Sequence, residues 1–200
     1  MYGIVFENFD AEVCNSEISN CAAYCVYLSG GEHKFAHNTI ASFFGASWMQ
    51  SVSREDVAAL YINDLNKSAA PTHSYFYNNI VTGIRENNLV LATALPKHYN
   101  GEFAGNYLRM DTTDNNFIFH DNRYYKEDDE LFLNTEYKYK EYKYYDFHLA
   151  DKSPAIGVAL SSSALPADLL EDMSLLHYDR DSIKHPAENI SAGCYERLSE

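Results

Sequence analysis

A short segment that recurs along the chain indicates the fold. Residues 13–18 read VCNSEI, residues 35–40 read FAHNTI and residues 75–80 read YFYNNI, and the stretch NNFIFHDN at residues 115–122 is a weaker fourth copy. The first two copies lie 22 residues apart, a period typical of solenoid repeats. The third copy follows 40 residues after the second, which predicts one further repeat plus an insertion. We expect this inserted loop within residues 45–74.

Short apolar runs between the copies indicate parallel strands. Each run is closed by Asn, Gly, Ser or Asp, and examples are residues 2–6, 24–28 and 60–62. A single repeat cannot bury its apolar face, whereas stacked repeats bury inward side chains and pair every backbone group with a neighbour. Ser16, Asn38 and Asn78 share one turn position, which predicts an asparagine ladder along the stack. A β-sandwich with accidental similarity between the segments is the alternative.

Composition favours one mainly β domain and excludes several partners. The chain has 200 residues, of which 46% are hydrophobic and 22% charged, and it is rich in tyrosine and phenylalanine, which favour strands. A net charge of −14 repels phosphate backbones, so we expect no nucleic acid partner. The longest apolar run, residues 22–28, is too short to span a bilayer. The four cysteines and eight histidines lack metal-ligand spacings, so we expect no metal site.

The end of the chain resembles a known family. Four segments occur in the family's order and spacing: YDFHL at 145–149, KSPAIG at 152–157, DRDSIK at 179–184 and AGCYE at 192–196. They are similar to the C-terminal ending of right-handed parallel β-helix repeat proteins of the pectin-lyase-like superfold, known from gut and environmental bacteria. Ser182, Lys184 and Cys194 depart from the residues usual in that ending.

The resemblance implies an architecture and a location. We expect an all-β, right-handed parallel β-helix (solenoid) of few coils at residues 1–125 and an irregular C-terminal capping region at residues 126–200. Within the cap, the segment LPADLLEDM at residues 165–173 predicts a short amphipathic helix. Family members are longer and exported, so the chain looks like the C-terminal portion of a longer protein that is extracellular, cell-surface or periplasmic. No signal peptide follows Met1.

Two groups of side chains are weak candidates for catalysis. The family's lyases hold Ca²⁺ with acidic residues and abstract a proton with Lys or Arg. Two clusters offer these residue types: Asp111 and Asp114 beside Arg109, and Asp121 with Arg123 and Lys126. Ordinary turn chemistry explains the same residues. The net negative charge argues for a neutral glycan rather than a polyanionic one.

Three aromatic residues are weak candidates for ligand binding. Trp48 lies in the expected insertion, and Tyr99 and Tyr107 also offer rings that stack on sugars. The first functional hypothesis is therefore a secreted or surface module that binds a polysaccharide or cleaves it as a lyase or glycoside hydrolase. The alternative is a non-catalytic structural or adhesion module. An uncapped first repeat exposes strand edges, which predicts a homo-oligomer through that end.

Overall fold

The computed structural model describes residues 2–43, 57–64, 72–92, 95, 97–111, 116–138, 141 and 143–197. The described residues contain almost no helix, and three strands recur in each of the first four repeats. The strands are β1 (Ile4–Glu7), β2 (Ala11–Cys14), β3 (Glu17–Ser19), β4 (Val26–Ser29), β5 (His33–Ala36), β6 (Thr39–Ser42), β7 (Leu60–Asn63), β8 (Thr72–Tyr77), β9 (Ile80–Gly83), β10 (Leu89–Leu91), β11 (Tyr99–Ala104), β12 (Tyr107–Leu108), β13 (Phe117–His120), β14 (Arg123–Tyr124), β15 (Phe132–Asn134) and β16 (Asp146–Leu149).

Equivalent strands of successive repeats form three parallel sheets. Sheet 1 has the order β1-β4-β7-β10, sheet 2 the order β2-β5-β8-β11-β13, and sheet 3 the order β3-β6-β9-β12-β14. The last two strands, β15 and β16, pair antiparallel outside this stack. The all-β prediction is confirmed, and the parallel sheets are compatible with a β-solenoid. Within the described residues, no helix is long and apolar enough to cross a membrane.

The pairing register confirms the first repeat and corrects the next. Ile18 pairs with Ile40, as the 22-residue period predicts. Ile40 pairs with Val81 instead of Ile80, so the third copy is residues 76–81 and not 75–80. Side chains alternate across a strand, so a slip of one residue would send the wrong set inward. Phe76 is buried and Tyr75 lies on the outer face, which decides the register.

A further copy of the segment went unpredicted. Residues 103–108 read FAGNYL, and Phe103 pairs with Phe76 on one side and with Phe119 on the other. Gly105 occupies the turn position that His37 occupies in the second repeat, with φ angles of 66° and 53°.

The segment 45–74, where an inserted loop was expected, contains a strand of the stack. This strand, β7, pairs with β4 and β10.

Each turn between sheet 2 and sheet 3 uses the same backbone conformation. The residue before the ladder position has a left-handed φ between 47° and 66°, which Gly, Asn and Asp adopt most readily; these residues are Asn15, His37, Asn78, Gly105 and Asp121. Asn78 therefore supplies the turn, and the predicted ladder position belongs to its neighbour Asn79.

The asparagine ladder runs through the buried side of these turns, from Asn38 through Asn79 and Asn106 to Asn122. Asn79 Oδ1 accepts from the backbone N–H and side-chain amide of Asn38 at 2.9 and 3.0 Å. Asn106 Oδ1 accepts the equivalent bonds from Asn79 at 2.7 and 3.1 Å. The ladder satisfies turn groups that would otherwise be buried without partners.

Stacked phenylalanine rings form the centre of the core. Ring centroids are 5.5 Å apart for Phe35 and Phe76, 4.3 Å for Phe76 and Phe103, and 4.9 Å for Phe103 and Phe119. The last two pairs are nearly parallel, at 6° and 5°. Burial of these rings is a main source of stability for the stack.

The C-terminal region covers the outer faces of sheets 2 and 3. Leu165, Leu169, Leu170 and Leu176 pack on Ala36, Tyr77 and Ala104 of sheet 2, while Phe132, Phe147, Ala192 and Cys194 pack on Ile80 and Tyr107 of sheet 3. The described part of this region contains the strands β15 and β16 and is otherwise largely irregular. On the outer face of sheet 1, three tyrosine rings stack. The ring centroid of Tyr61 lies 4.8 Å from that of Tyr24 and 5.8 Å from that of Tyr27.

The predicted helix at residues 165–173 is not formed. Two short 3-10 helices, Ser162–Ala164 and Met173–His177, flank a run of turns instead. The neighbouring side chains of Leu169 and Leu170 are both buried against sheet 2, which holds the segment along the sheet surface. Asp172 caps the second helix by accepting from the Ser174 N–H at 2.9 Å.

Candidate functional site

A cleft lies where the C-terminal region meets the ends of the sheet 3 strands. It has a volume of about 840 Å³. One wall consists of residues that follow or end these strands, Phe43, Thr82, Arg109 and Tyr125, and the other consists of residues 129–136 and 150–152. The parallel register places Thr82, Arg109 and Tyr125 on successive rungs, because Val81 pairs with Leu108 and Leu108 with Tyr124.

Arg109 and Tyr125 form a fixed platform in this wall. The Arg109 guanidinium carbon lies 3.9 Å from the centroid of the Tyr125 ring, a cation–π contact. One guanidinium nitrogen of Arg109 also donates to the Gly83 carbonyl at 2.6 Å. These two contacts restrict both side chains, so the surface they present to the cleft is preorganised.

Asp129 ties the far wall to the stack. Its Oδ2 accepts from the Tyr107 hydroxyl at 2.7 Å and from the Lys126 backbone N–H at 2.8 Å. Burial, followed by the hydrogen bond to Asp129 and its charge, raises the pKa of Tyr107 above its usual range. Asp129 is thus engaged in holding the turn at residues 126–129 against sheet 3.

The rim of the cleft is mixed in charge. Glu130, Glu136 and Asp151 are acidic, and Lys152 is basic. The hydrogen bond from Lys138 and its charge hold the pKa of Glu136 below its usual range. Asp151 pairs with Arg197. Aromatic side chains line the same space as these polar groups, because Phe43, Tyr125 and Phe132 belong to its walls.

The structure places one predicted catalytic candidate, Arg109, in the cleft. Asp111 exchanges hydrogen bonds with Asn87, whose side-chain amide donates to Asp111 Oδ2 at 2.9 Å. Arg123 donates to the Pro154 carbonyl at 2.7 Å. Lys126 contributes a backbone N–H to Asp129. Neither Asp111 nor Arg123 lines the cleft with Arg109.

The other predicted site residues are buried, engaged in a turn or outside the described residues. Tyr99 and Tyr107 are fully buried, so neither ring is available to stack on a sugar. Trp48 and Asp114 lie outside the described residues. Asp121 occupies a left-handed turn and binds His120 Nδ1 at 2.8 Å.

The calcium chemistry implied by the family resemblance does not fit the described residues. Asp111 and Asp121 are engaged by Asn87 and His120 and lie on different turns. In the part of the chain that the structure describes, no group of three or more His, Cys, Asp or Glu side chains is placed to hold a metal ion.

A second polar cluster on the outer face of sheet 2 was not predicted. His120 Nε2 contacts the Glu102 carboxylate, and its Nδ1 contacts Asp121. Asp121 first, and then Glu102, raises the pKa of His120 above its usual range. Glu102 and His120 are neighbours because Ala104 pairs with His120. The sequence signal for this contact is the unpredicted repeat copy at residues 103–108.

Comparisons with known proteins leave the family assignment open. No family model matches the chain. No curated protein and no solved structure matches it either.

Proposed function

We propose that this chain is a carbohydrate-binding module with a right-handed, pectin-lyase-like β-helix that binds a neutral glycan in the cleft at the end of sheet 3. The observation that carries the proposal is the fixed Arg109–Tyr125 platform beside a polar rim. The Arg109 guanidinium covers one face of the Tyr125 ring, so a sugar would contact the rest of this platform through its C–H groups and the polar rim through its hydroxyls. An extracellular, cell-surface or periplasmic location follows from the family resemblance.

Charge supports a neutral ligand. The chain carries a net charge of −14, and the rim of the cleft holds Glu130, Glu136 and Asp151. A polyanionic glycan would meet repulsion at this rim and in the field of the whole chain. The Arg109 guanidinium is already engaged by Tyr125 and the Gly83 carbonyl, which leaves it less able to compensate.

Binding is favoured over cleavage by the state of the carboxylates that line the cleft. Three of the four are engaged already: Asp129 accepts from Tyr107 and Lys126, Glu136 pairs with Lys138, and Asp151 pairs with Arg197. Cleavage by glycosidases needs a pair of carboxyl groups that are free to exchange protons and to attack the sugar. If the module does cleave, it belongs to the lyases or glycoside hydrolases.

A ligand screen tests this proposal. Thermal unfolding of the chain is measured against a panel of neutral and anionic polysaccharides, each with and without Ca²⁺, because a ligand of the native state raises the midpoint. Hits are examined for unsaturated uronide by ultraviolet absorbance and for released reducing sugar. We expect a shift with a neutral glycan and no product.

Matched tyrosine variants locate the binding site. Tyr125→Ala removes the platform, whereas Tyr178→Ala removes a half-exposed ring that does not line the cleft. We expect the first variant to lose the ligand-induced shift and the second to keep it. No shift with any glycan, or a shift that Tyr125→Ala retains, would refute binding in this cleft.

A non-catalytic structural role is the second candidate, and the first repeat favours it. Strands β1, β2 and β3 each form one edge of their sheet in the described structure. Tyr2 and Phe9 are exposed beside them, and Phe6 is only partly buried. Such edges pair readily with another copy of the chain. Sedimentation equilibrium over a hundredfold concentration range distinguishes a homodimer from a monomer, and Val5→Lys should weaken any dimer at this edge.

A further inference from the structure

Two of the four cysteines lie together at a corner of the first repeat. Cys21 and Cys25 belong to the connection between β3, which ends at Ser19, and β4, which begins at Val26. Both carry free thiols, and neither lines the proposed glycan cleft. Three residues separate them in the sequence, so their side chains can meet only where the chain turns back between them.

The contacts of the two sulfur atoms place them side by side. Cys21 Sγ lies 3.5 Å from the Ser19 carbonyl oxygen, and Cys25 Sγ lies 3.6 Å from the Ala41 carbonyl oxygen. Ser19 and Ala41 are direct partners on the paired strands β3 and β6, so both sulfurs lie at the same end of this pair. The two thiols hydrogen-bond to each other, and the Cys25 sulfur also accepts from the Cys21 backbone N–H.

One thiol of the pair is buried and the other is partly accessible. Cys25 is 0% exposed and belongs to the hydrophobic core. Cys21 is only partly buried and packs against the same core. Gly3 lies against both, because a Cβ atom at this position would be 2.8 Å from Cys21 Sγ and 2.5 Å from the Cys25 carbonyl oxygen. The absence of a side chain on Gly3 therefore leaves room for the Cys21 sulfur.

The hydrogen bond between the thiols favours ionisation of Cys21. With Cys25 as the donor, this bond lowers the pKa of Cys21 to about 7, against the opposing effect of burial. The same bond, and then burial, raises the pKa of Cys25 above its usual range. The thiolate is the form of cysteine that attacks a disulfide. Near neutral pH, Cys21 is therefore the attacking group and Cys25 is the thiol held beside it.

The other two cysteines are protonated near neutral pH. Burial, followed by the charges of Glu12 and Asp172, raises the pKa of Cys14 above its usual range. Burial also raises the pKa of Cys194 to about 12, and Cys194 is 0% exposed. These two thiols serve as internal controls for the reactivity of Cys21.

We propose that Cys21 and Cys25 form a reversible disulfide by exchange with a low-molecular-weight disulfide such as oxidised glutathione. The Cys21 thiolate attacks one sulfur of the reagent, which forms a mixed disulfide and releases one glutathione thiolate. Cys25 then gives up its proton and attacks Cys21 Sγ, which releases the second glutathione thiolate. The released thiolates take up the two protons that the cysteines lost, so the pair is oxidised by two electrons and the reagent is reduced to two glutathione molecules.

The disulfide would link the end of β3 to the start of β4, at the corner where the first repeat passes into the second. This chemistry does not involve the glycan cleft, so either proposal can fail without the other.

The experiment exposes the reduced full chain to oxidised glutathione at pH 7.5 and then labels the remaining thiols with N-ethylmaleimide under denaturing conditions. Cleavage after glutamate gives a peptide of residues 18–32, which contains Cys21 and Cys25 and no other cysteine. We expect mass spectrometry to show this peptide unlabelled and about 2 Da lighter than its reduced form, and dithiothreitol to reverse the change. A peptide that keeps both thiols, or that stays glutathionylated, would overturn the proposal.

The rate of the reaction tests whether the fold directs it. In the folded chain, Cys14 should react at least about threefold more slowly than Cys21, because its smaller thiolate fraction outweighs the greater nucleophilicity of a more basic thiolate. This difference should disappear in concentrated urea. Equal rates for Cys14 and Cys21 in the folded chain, or a disulfide between them, would refute the proposal.

Matched serine variants assign the two steps. Cys25→Ser removes the second thiol but keeps a hydroxyl donor beside Cys21, so peptide 18–32 should accumulate one glutathionyl group. Cys21→Ser leaves only the buried thiol, so the peptide should remain unmodified. Cys14→Ser is the control and should form the disulfide at the wild-type rate. The wild-type measurement decides the proposal even if a variant fails to fold.

Discussion

The parallel stack and the C-terminal region that covers it are stabilised in different ways. In the stack, one contact is repeated from rung to rung, as in the nearly parallel rings of Phe76, Phe103 and Phe119. In the covering region, each contact occurs once, such as the stacking of His148 on Tyr195 at 4.1 Å. Because the same contact recurs, the stability of each rung depends on its neighbours. Contacts that occur once give each part of the covering region its own surroundings, so distinct sites form there. One wall of the cleft at the end of sheet 3 is formed by residues of this cover.

The largest expected effect is on the ring stack. Phe76→Ala removes a 1% exposed ring that lies between Phe35 and Phe103, and it should lower the free energy of unfolding by about 3 to 5 kcal/mol. The measurement is urea unfolding followed by circular dichroism. Ile118→Ala is the control in the same sheet, because Ile118 is 59% exposed and its truncation should cost much less free energy. If the two variants lose the same free energy of unfolding, the buried ring stack contributes no more to stability than an exposed side chain.

The next effect is on the asparagine ladder. Asn79→Ala leaves the backbone N–H of Asn38 without its acceptor and removes the donor to the Phe35 carbonyl. We expect a loss of about 2 to 3 kcal/mol in the free energy of unfolding, because these groups are buried. Asn87→Ala provides a comparison, since the Asn87–Asp111 hydrogen bond is exposed. If both variants lose the same free energy of unfolding, the ladder hydrogen bonds of Asn79 contribute no more to stability than an exposed hydrogen bond.

The effect that is smallest at neutral pH concerns acid sensitivity where the cover meets the stack. The folded-state pKa of His37 is lowered by burial to about 3, below the ordinary value of about 6.5 in an unfolded chain. Below pH 6.5 the unfolded chain takes up a proton that folded His37 does not, so its contribution to stability is present above that pH and is lost as the pH falls towards 3. His37→Asn keeps a residue suited to the left-handed turn and should flatten this part of the pH dependence.

Unfolding free energies of the wild type and His37→Asn, measured between pH 7 and pH 4, test this expectation. The difference between the two proteins should change with pH, and the wild type should lose more stability on acidification. A constant difference would show that His37 does not titrate differently in the folded and unfolded states. Changes from carboxyl groups remote from position 37 should be common to both proteins.

The repeat was predictable because inward side chains and turn residues must recur wherever rungs stack. The spacing of Ile18 and Ile40 therefore predicted a true pair. The third copy was placed one residue early, because Asn78 and Asn79 are identical neighbours and similarity alone does not decide which one enters the ladder. The burial of Phe76 decides it. The copy around Gly105 was missed because glycine replaces a polar residue at the turn.

The candidate sites were much less predictable. Arg109 was named for its charge, but its partner Tyr125 follows β14 and meets it only through the pairing of Leu108 with Tyr124. Tyr107 was named for a ring that can stack on a sugar, yet packing of the C-terminal region buries it completely. Which outer-face side chains are covered depends on where a non-repeating segment lies, and no period in the sequence records this.

The sequence by itself determined the all-β class and the recurring segment of strand, turn and strand on which the parallel stack is built. These features follow from local patterns, because alternation and left-handed turn residues act within a single strand or turn. Only the tertiary structure decided the ladder register, the platform of Arg109 and Tyr125, and the contact between the rings of His37 and His185. Those contacts join residues far apart in the chain, and their geometry is set by how the cover packs on the sheets.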